Sequence, residues 1–155
     1  MQLKITTLIL CCLCFFQLTA KVTHLDIQSK SIYQNGKKFG EIGTYEALKG
    51  KVYFEIDPLA AINQAVVDVQ LAKRTENGMV AFSADITLLV PTDRSKINGS
   101  LIYEFNNRGG MLLPYVDAET DALFSRGFVV VSTGWIGELL PVNDKLRLCA
   151  PIAYE

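Results

Sequence analysis

The sequence predicts an α/β chain in which antiparallel amino-terminal strands lead into a β-α-β unit. Three observations carry that expectation. Strand-type runs fill the first two thirds of the chain, punctuated by Asn35-Gly36 and Asn77-Gly78, the dipeptides that favour tight hairpin turns. The run LIYEF at 101–105 enters a polar, glycine-bearing stretch, is followed by helical spacing as far as Arg126 and Gly127, and then by the apolar run FVVVS at 128–132. Half of the 155 residues are hydrophobic, enough for a sizeable core.

Residues 1–20 form a separate object. Lys4 supplies a positive start, residues 5–16 are apolar, and Gln17-Leu18-Thr19-Ala20 offers a small residue before a cut, the pattern of a secretory signal peptide. The apolar run is shorter than the roughly 20 residues a spanning helix needs, so no stable membrane span is expected after cleavage. The mature chain, 21–155, is then secreted or periplasmic, and reads as a portion of one domain. Cys11, Cys12 and Cys14 leave with the signal, and Cys149 remains as either a small buried hydrophobe or the mate of a cysteine beyond Glu155. With 15 Lys and Arg against 16 Asp and Glu, and no run of like charge, the chain has no basic stripe, which argues against nucleic acid as a partner.

Taken in order, residues 22–33 alternate loosely and suit a strand ending at the Asn35-Gly36 turn. Residues 51–56 form a strand bounded by Gly50 and Asp57-Pro58, with Tyr45 and Glu46 before it as surface or packing groups. The β-branched cluster at 65–71 predicts a further strand. The turn at Glu76, Asn77 and Gly78 opens another at 79–90, alternating at first and continuously apolar at its end, with Asp85 on the polar side and solvated. Residues 91–100 are a turn-rich loop delivering the chain to 101–105, apolar enough for a central strand. Glu104 must there be paired or lie at the sheet's end, and Arg108 is the candidate partner. A helix over 113–126 has Val116, Leu123 and Phe124 on one face, acidic residues at its start and Gly127 as its stop. The strand at 128–132 follows, parallel to 101–105 across a right-handed crossover. Residues 133–138 then share a carboxyl edge with 106–110, where ligands sit in open α/β sheets. Residues 146–153 form one more short strand.

The chemistry-bearing stretch is Asn106, Asn107, Arg108, Gly109 and Gly110. Backbone N–H groups in such a turn can hold an anion or a developing oxyanion, or the glycines simply let the chain turn. The spacing is not that of a dinucleotide fingerprint or a phosphate loop, and no metal-ligand cluster appears, so no cofactor and no metal are expected. Trp135, in the second edge loop, serves core packing or ligand stacking. No serine stands in a Gly-x-Ser-x-Gly elbow and His24 is the single histidine, so no catalytic residue is assigned within the chain.

The order GTYEALKGKVYFEIDP, LAKRTENGMVAFSADITLLVP, LIYEFNNRGG and GFVVVSTGW resembles the amino-terminal part of the large exported proteins called alpha/beta hydrolase domain-containing proteins, and the resemblance runs from about Gly40 onward. It implies a partial α/β-hydrolase-like sheet in which 101–105 is the third strand, 113–126 the first helix and 128–132 the fourth strand. In that fold the loop after the third strand supplies an N–H to the oxyanion hole, and the nucleophile elbow comes after the fifth strand. Asn107, Arg108, Gly109 and Trp135 would line the oxyanion and substrate crevice. The nucleophile, acid and histidine would come from a carboxyl-terminal portion beyond Glu155, and a small-molecule ester would be the substrate of the complete protein. The 155-residue chain alone would be inactive. An exported ligand-binding or interaction module without turnover is the alternative reading of the same crevice.

Overall fold

The computed structural model describes residues 20–113, 117–140 and 145–153. Its strands are β1 (Ala20–Ile32), β2 (Tyr45–Ile56), β3 (Val80–Pro91), β4 (Leu101–Glu104), β5 (Val129–Thr133) and β6 (Leu148–Cys149), with one described helix, α1 (Asp117–Phe124). They form a single six-stranded sheet in the order β1-β2-β3-β5-β4, with β6 also against β3. β1, β2, β3 and β5 pair antiparallel in turn, β6 runs antiparallel to β3, and β4 and β5 are parallel. The expected α/β class therefore stands as a mixed, sheet-rich fold of low helix content. Residues 1–19, within the stretch expected to be a signal peptide, and Val116 lie outside the described residues.

The antiparallel meander comes first, opening on a local turn. At the β1–β2 connection Gln34 and Asn35 adopt φ 44° and 52° and Gly36 φ 82°, so the Asn-Gly dipeptide supplies the left-handed residues needed to reverse the chain. β2 begins at Tyr45 rather than at residue 51, and Gly50 lies inside it. A Cβ at Gly50 would stand 1.9 Å from the Asp26 carbonyl oxygen, beside the irregularity in β1 between Ile27 and Ser29. Glycine is there for close backbone approach, not to end a strand.

Two expectations fail in the middle of the chain. Residues 65–71 are not a strand: short 3-10 turns at Ala61–Asn63 and Val69–Leu71 replace it, and β3 pairs with β2. β-branched composition is overridden there, the segment making its own turns and packing over the ends of β2 and β3 instead of joining the sheet. β4 is the outermost strand rather than a central one, with Leu101 58%, Tyr103 42% and Phe105 78% exposed.

Strand alternation divides the core between the two faces of the sheet. On one, Tyr45, Ala47, Leu89 and Val130 pack with Phe39 and with Phe124 of α1. Tyr45, fully buried, donates its hydroxyl to the carbonyls of Phe124 and Phe128, 3.0 Å each, and so clamps the end of α1 and the entry to β5. Burial pushes that phenol up to about 12. On the other face Val52, Ala84, Ile86 and Val131 pack with Phe54, Leu88 and Leu148. Glu46, placed before the strand by its sequence, is a buried member of β2 held by Lys30 Nζ at 2.7 Å and Arg94 Nη2 at 2.6 Å. The Lys30 and Arg94 contacts hold its carboxyl below the ordinary value.

Candidate functional site

The site is built on the carboxyl ends of the parallel pair. In β4 the alternation that half-buries Ile102 and buries Glu104 also turns Asn106 inward, where it is 3% exposed. Its Nδ2 donates to the Thr133 carbonyl at 2.7 Å and to Ser132 Oγ at 3.1 Å, while its Oδ1 accepts from the Gly109 N–H at 2.8 Å. Its own carbonyl accepts from Trp135 Nε1 at 3.1 Å. A single asparagine thus ties the loop after β4 to the loop after β5. The two loops converge as their shared edge predicts.

Beyond Asn106 the chain makes a tight reversal. Asn107 and Gly110 exchange both backbone hydrogen bonds at 3.0 Å, and Arg108 and Gly109 between them have φ 46° and 78°, the pattern of a type I′ turn. This decides which donors are open. The Gly109 N–H is taken by Asn106 and the Gly110 N–H by Asn107, whereas the Arg108 N–H meets no acceptor among the described residues. Gly109 is buried, and a Cβ there would lie 2.6 Å from the Leu146 carbonyl oxygen, so it admits the neighbouring backbone rather than facing a ligand. Asn107 and Arg108 are exposed, and Trp135 is 52% exposed, so its ring is not a core group.

A polar row runs beneath the turn. Pairing aligns Glu104 of β4 with Ser132 of β5, Thr87 of β3 and Lys49 of β2, and the first three are buried. Glu104 does not pair with Arg108. Its Oε1 accepts from the backbone N–H groups of Leu112 and, at 3.1 Å, Leu113, and its Oε2 meets no donor among the described residues. Backbone donors so close in sequence satisfy one oxygen without a counter-ion. Ser132 Oγ, fully buried between Asn106 Nδ2 and the Glu104 carbonyl, is structural and is not presented to a substrate.

Asp85, expected on the solvated side, is instead a junction. It accepts from Lys51 Nζ at 2.6 Å and the Arg147 N–H at 3.0 Å, with Arg147 Nε at 3.5 Å. Lys145 stands over the reversal, its Nζ 3.0 Å from where a Cβ on Gly110 would be. The sequence places Asn106 in the chemistry-bearing turn but not in its inward bracing role, and it does not point to Lys145. That role was readable, because counting by twos from Ile102 reaches Asn106; Lys145 sits opposite the turn only through tertiary structure. Cys149 is exposed, not the buried hydrophobe of one sequence reading. His24 is on β1, against the ring of Tyr53 at 5.6 Å, at the far side of the sheet from β4. Among the described residues no group of three His, Cys, Asp or Glu is arranged to hold a metal ion. Comparison with protein-family models, with curated proteins and with solved structures gives no match.

Proposed function

We propose that this chain is the amino-terminal portion of an exported α/β-hydrolase-like protein that acts on ester-type substrates in its complete form. In this reading the loop after β4 furnishes the oxyanion side of the crevice and Trp135 its wall. The observation that carries the reading is the joining of the two loops through Asn106, with the Arg108 N–H in the turn meeting no acceptor among the described residues. Fixed donors aimed at a developing charge need such bracing, since they act without reorganising during the reaction. The quoted strand and loop sequences support the ester chemistry. Asn107, Arg108 and Trp135 line the crevice, while Gly109 acts by letting the Leu146 backbone approach.

The described residues can stabilise charge but hold no activated nucleophile, because Ser132 is sealed and His24 is remote. The nucleophile therefore belongs to the carboxyl-terminal portion, and residues 1–155 alone are inactive. Treating the complete secreted protein with a fluorophosphonate probe and mapping the modified peptide tests this. Labelling of a serine outside residues 1–155 is expected, together with no hydrolysis of a generic aryl ester by the 155-residue chain above buffer. Labelling within 1–155, or hydrolysis by the short chain that a substitution in it removes, refutes the reading.

A further inference from the structure

A second site lies away from the loop crevice. On the face of the sheet that carries Ala84 and Ile86, residues 63–72 and 148–153 leave a cleft of about 350 Å³ over the ends of β2 and β3. Its lining is almost wholly apolar, with Ile56, Val69, Val80, Phe82 and Leu148 as the larger groups. That volume lies in the range of small-molecule sites.

Polar braces keep the walls apart. Asn63 Nδ2 donates to the Asp57 carbonyl at 2.7 Å, Gln70 Nε2 donates to the Pro58 carbonyl, and Ala72 bridges to Ala153. The segment is thus fixed by hydrogen bonds rather than by collapse onto the sheet, and apolar side chains remain at the rim, Val67 at 85% and Ile152 at 73% exposed. Exposed apolar surface around a concavity marks binding sites more often than it marks neutral surface.

One charge stands among the lining groups. Asp68, held at φ 57°, belongs to the cleft, no described residue pairs with its carboxylate, and no Lys or Arg is among the described lining residues. A carboxylate left without a cation beside an apolar cleft disfavours an anionic ligand and favours a neutral or cationic one.

We propose that this cleft binds a small amphiphile with a hydrocarbon body and a neutral or cationic head, the body against Val69, Val80 and Phe82 and the head toward Asp68. The inference is independent of the ester-hydrolase reading and needs no catalytic residue.

The test titrates the full chain at neutral pH with octylamine, octanol and octanoate, which share a hydrocarbon tail and differ in head charge. Binding is followed by chemical-shift changes. Saturable binding of octylamine and octanol is expected at one site, with octanoate weaker by about fivefold or more from Coulomb terms at a partly solvated site. Asp68→Asn should bring octylamine and octanoate within about twofold of each other by removing that charge. Val67→Lys, at an exposed lining position, should weaken octylamine by about fivefold while leaving the melting midpoint unchanged. Octanoate binding as tightly as octylamine, an order unaffected by Asp68→Asn, or uptake that never saturates overturns the proposal. A chain that binds none of the three but dimerises on concentration, and loses dimerisation with Val67→Lys, shows that a second copy covers the cleft and likewise overturns it.

Discussion

Substituting Asn106 by Asp isolates the part this residue plays, since it changes one atom of the side chain and leaves its shape intact. In the native chain Nδ2 donates to the Thr133 carbonyl at 2.7 Å and Oδ1 accepts from Gly109 at 2.8 Å. A carboxylate keeps the second bond but turns an oxygen toward the Thr133 carbonyl. The Ser132 hydroxyl can rotate to donate to it, giving up its 3.3 Å bond to the Glu104 carbonyl. What remains is two lost hydrogen bonds, to the Thr133 and Glu104 carbonyls, the first of those carbonyls now facing an acceptor, and one charge at a position only 3% exposed. Together these destabilise by about 3–5 kcal/mol at neutral pH. Protonation restores a donor toward Thr133, so the loss should shrink to about 1 kcal/mol in acid. The introduced carboxyl titrates near 3.9 in the unfolded chain and higher in the fold, because burial and the facing carbonyl disfavour its charge. The folded state then binds more protons across that interval, and stability falls as pH rises from about 4 through the raised value. Urea unfolding at a series of pH values reads this, with the fluorescence of Trp135, the single tryptophan, reporting the loop junction. A wild-type to variant difference that is flat between about pH 4 and pH 7, or smaller than about 1 kcal/mol at neutral pH, would refute the bracing argument.

Glu46→Gln should cost about 1–2 kcal/mol at neutral pH, discounted because Lys30 and Arg94 are 60% and 45% exposed. The native carboxyl is held below its ordinary 4.5, so its contribution is present above that value and disappears as pH falls through the lowered one. Melting curves of wild type and variant should therefore converge in acid; a gap that widens there contradicts the assignment. Tyr45→Phe should lose about 1–2 kcal/mol through the two carbonyls it leaves behind. Because the native phenol is pushed up to about 12 while the unfolded one ionises near 10, only the wild type should lose stability over that alkaline interval, as a spectrophotometric titration with parallel melting can show. Gly50→Ala forces a Cβ to within 1.9 Å of the Asp26 carbonyl, so β1 must part from β2 there. A loss of at least about 2 kcal/mol is expected, with faster amide exchange in β1 than in β3; unchanged β1 protection would argue against the close approach.

What the sequence made legible is what local chemistry decides. The Asn-Gly turn after β1, the hairpin entry at Gly78, the stop at Gly127 and the apolar run of β5 each carry their own conformational reason, and the structure places all of them. What stayed hidden depends on which strand stands beside which. Residues 65–71 have strand composition, but composition does not say whether an edge is available. LIYEF reads as central because it is apolar, yet β5 takes the inner place. Gly50 looks like punctuation until Asp26 is known to lie against it. At the site, the convergence of two loops followed from the parallel pair, and the choice among donors did not. That the N–H of Gly109 is consumed while that of Arg108 meets no acceptor among the described residues follows from the inward turn of Asn106, and that depends on continuing the alternation of β4 two residues past its end.

The interposition of β5 between β3 and β4 also sets an order of events for the chain as it acquires its structure. β1, β2 and β3 are joined by neighbour-to-neighbour pairings, with a short turn between the first two and residues 57–79 between the second and third, so their pairing does not wait for any later strand. β4 emerges next but has no partner in the sheet until β5, made later, arrives beside β3. The pairing of Ile86 with Thr133 closes a long stretch of chain, a step whose loop entropy makes it slow relative to the meander. Until then LIYEF is an apolar strand with both edges unmatched, the condition under which chains associate wrongly. Pulse-labelled hydrogen exchange during refolding should accordingly protect the amides of β2 and β3 first and those of β4 no earlier than those of β5. Early protection in β4 alone would show that it finds another partner before its own.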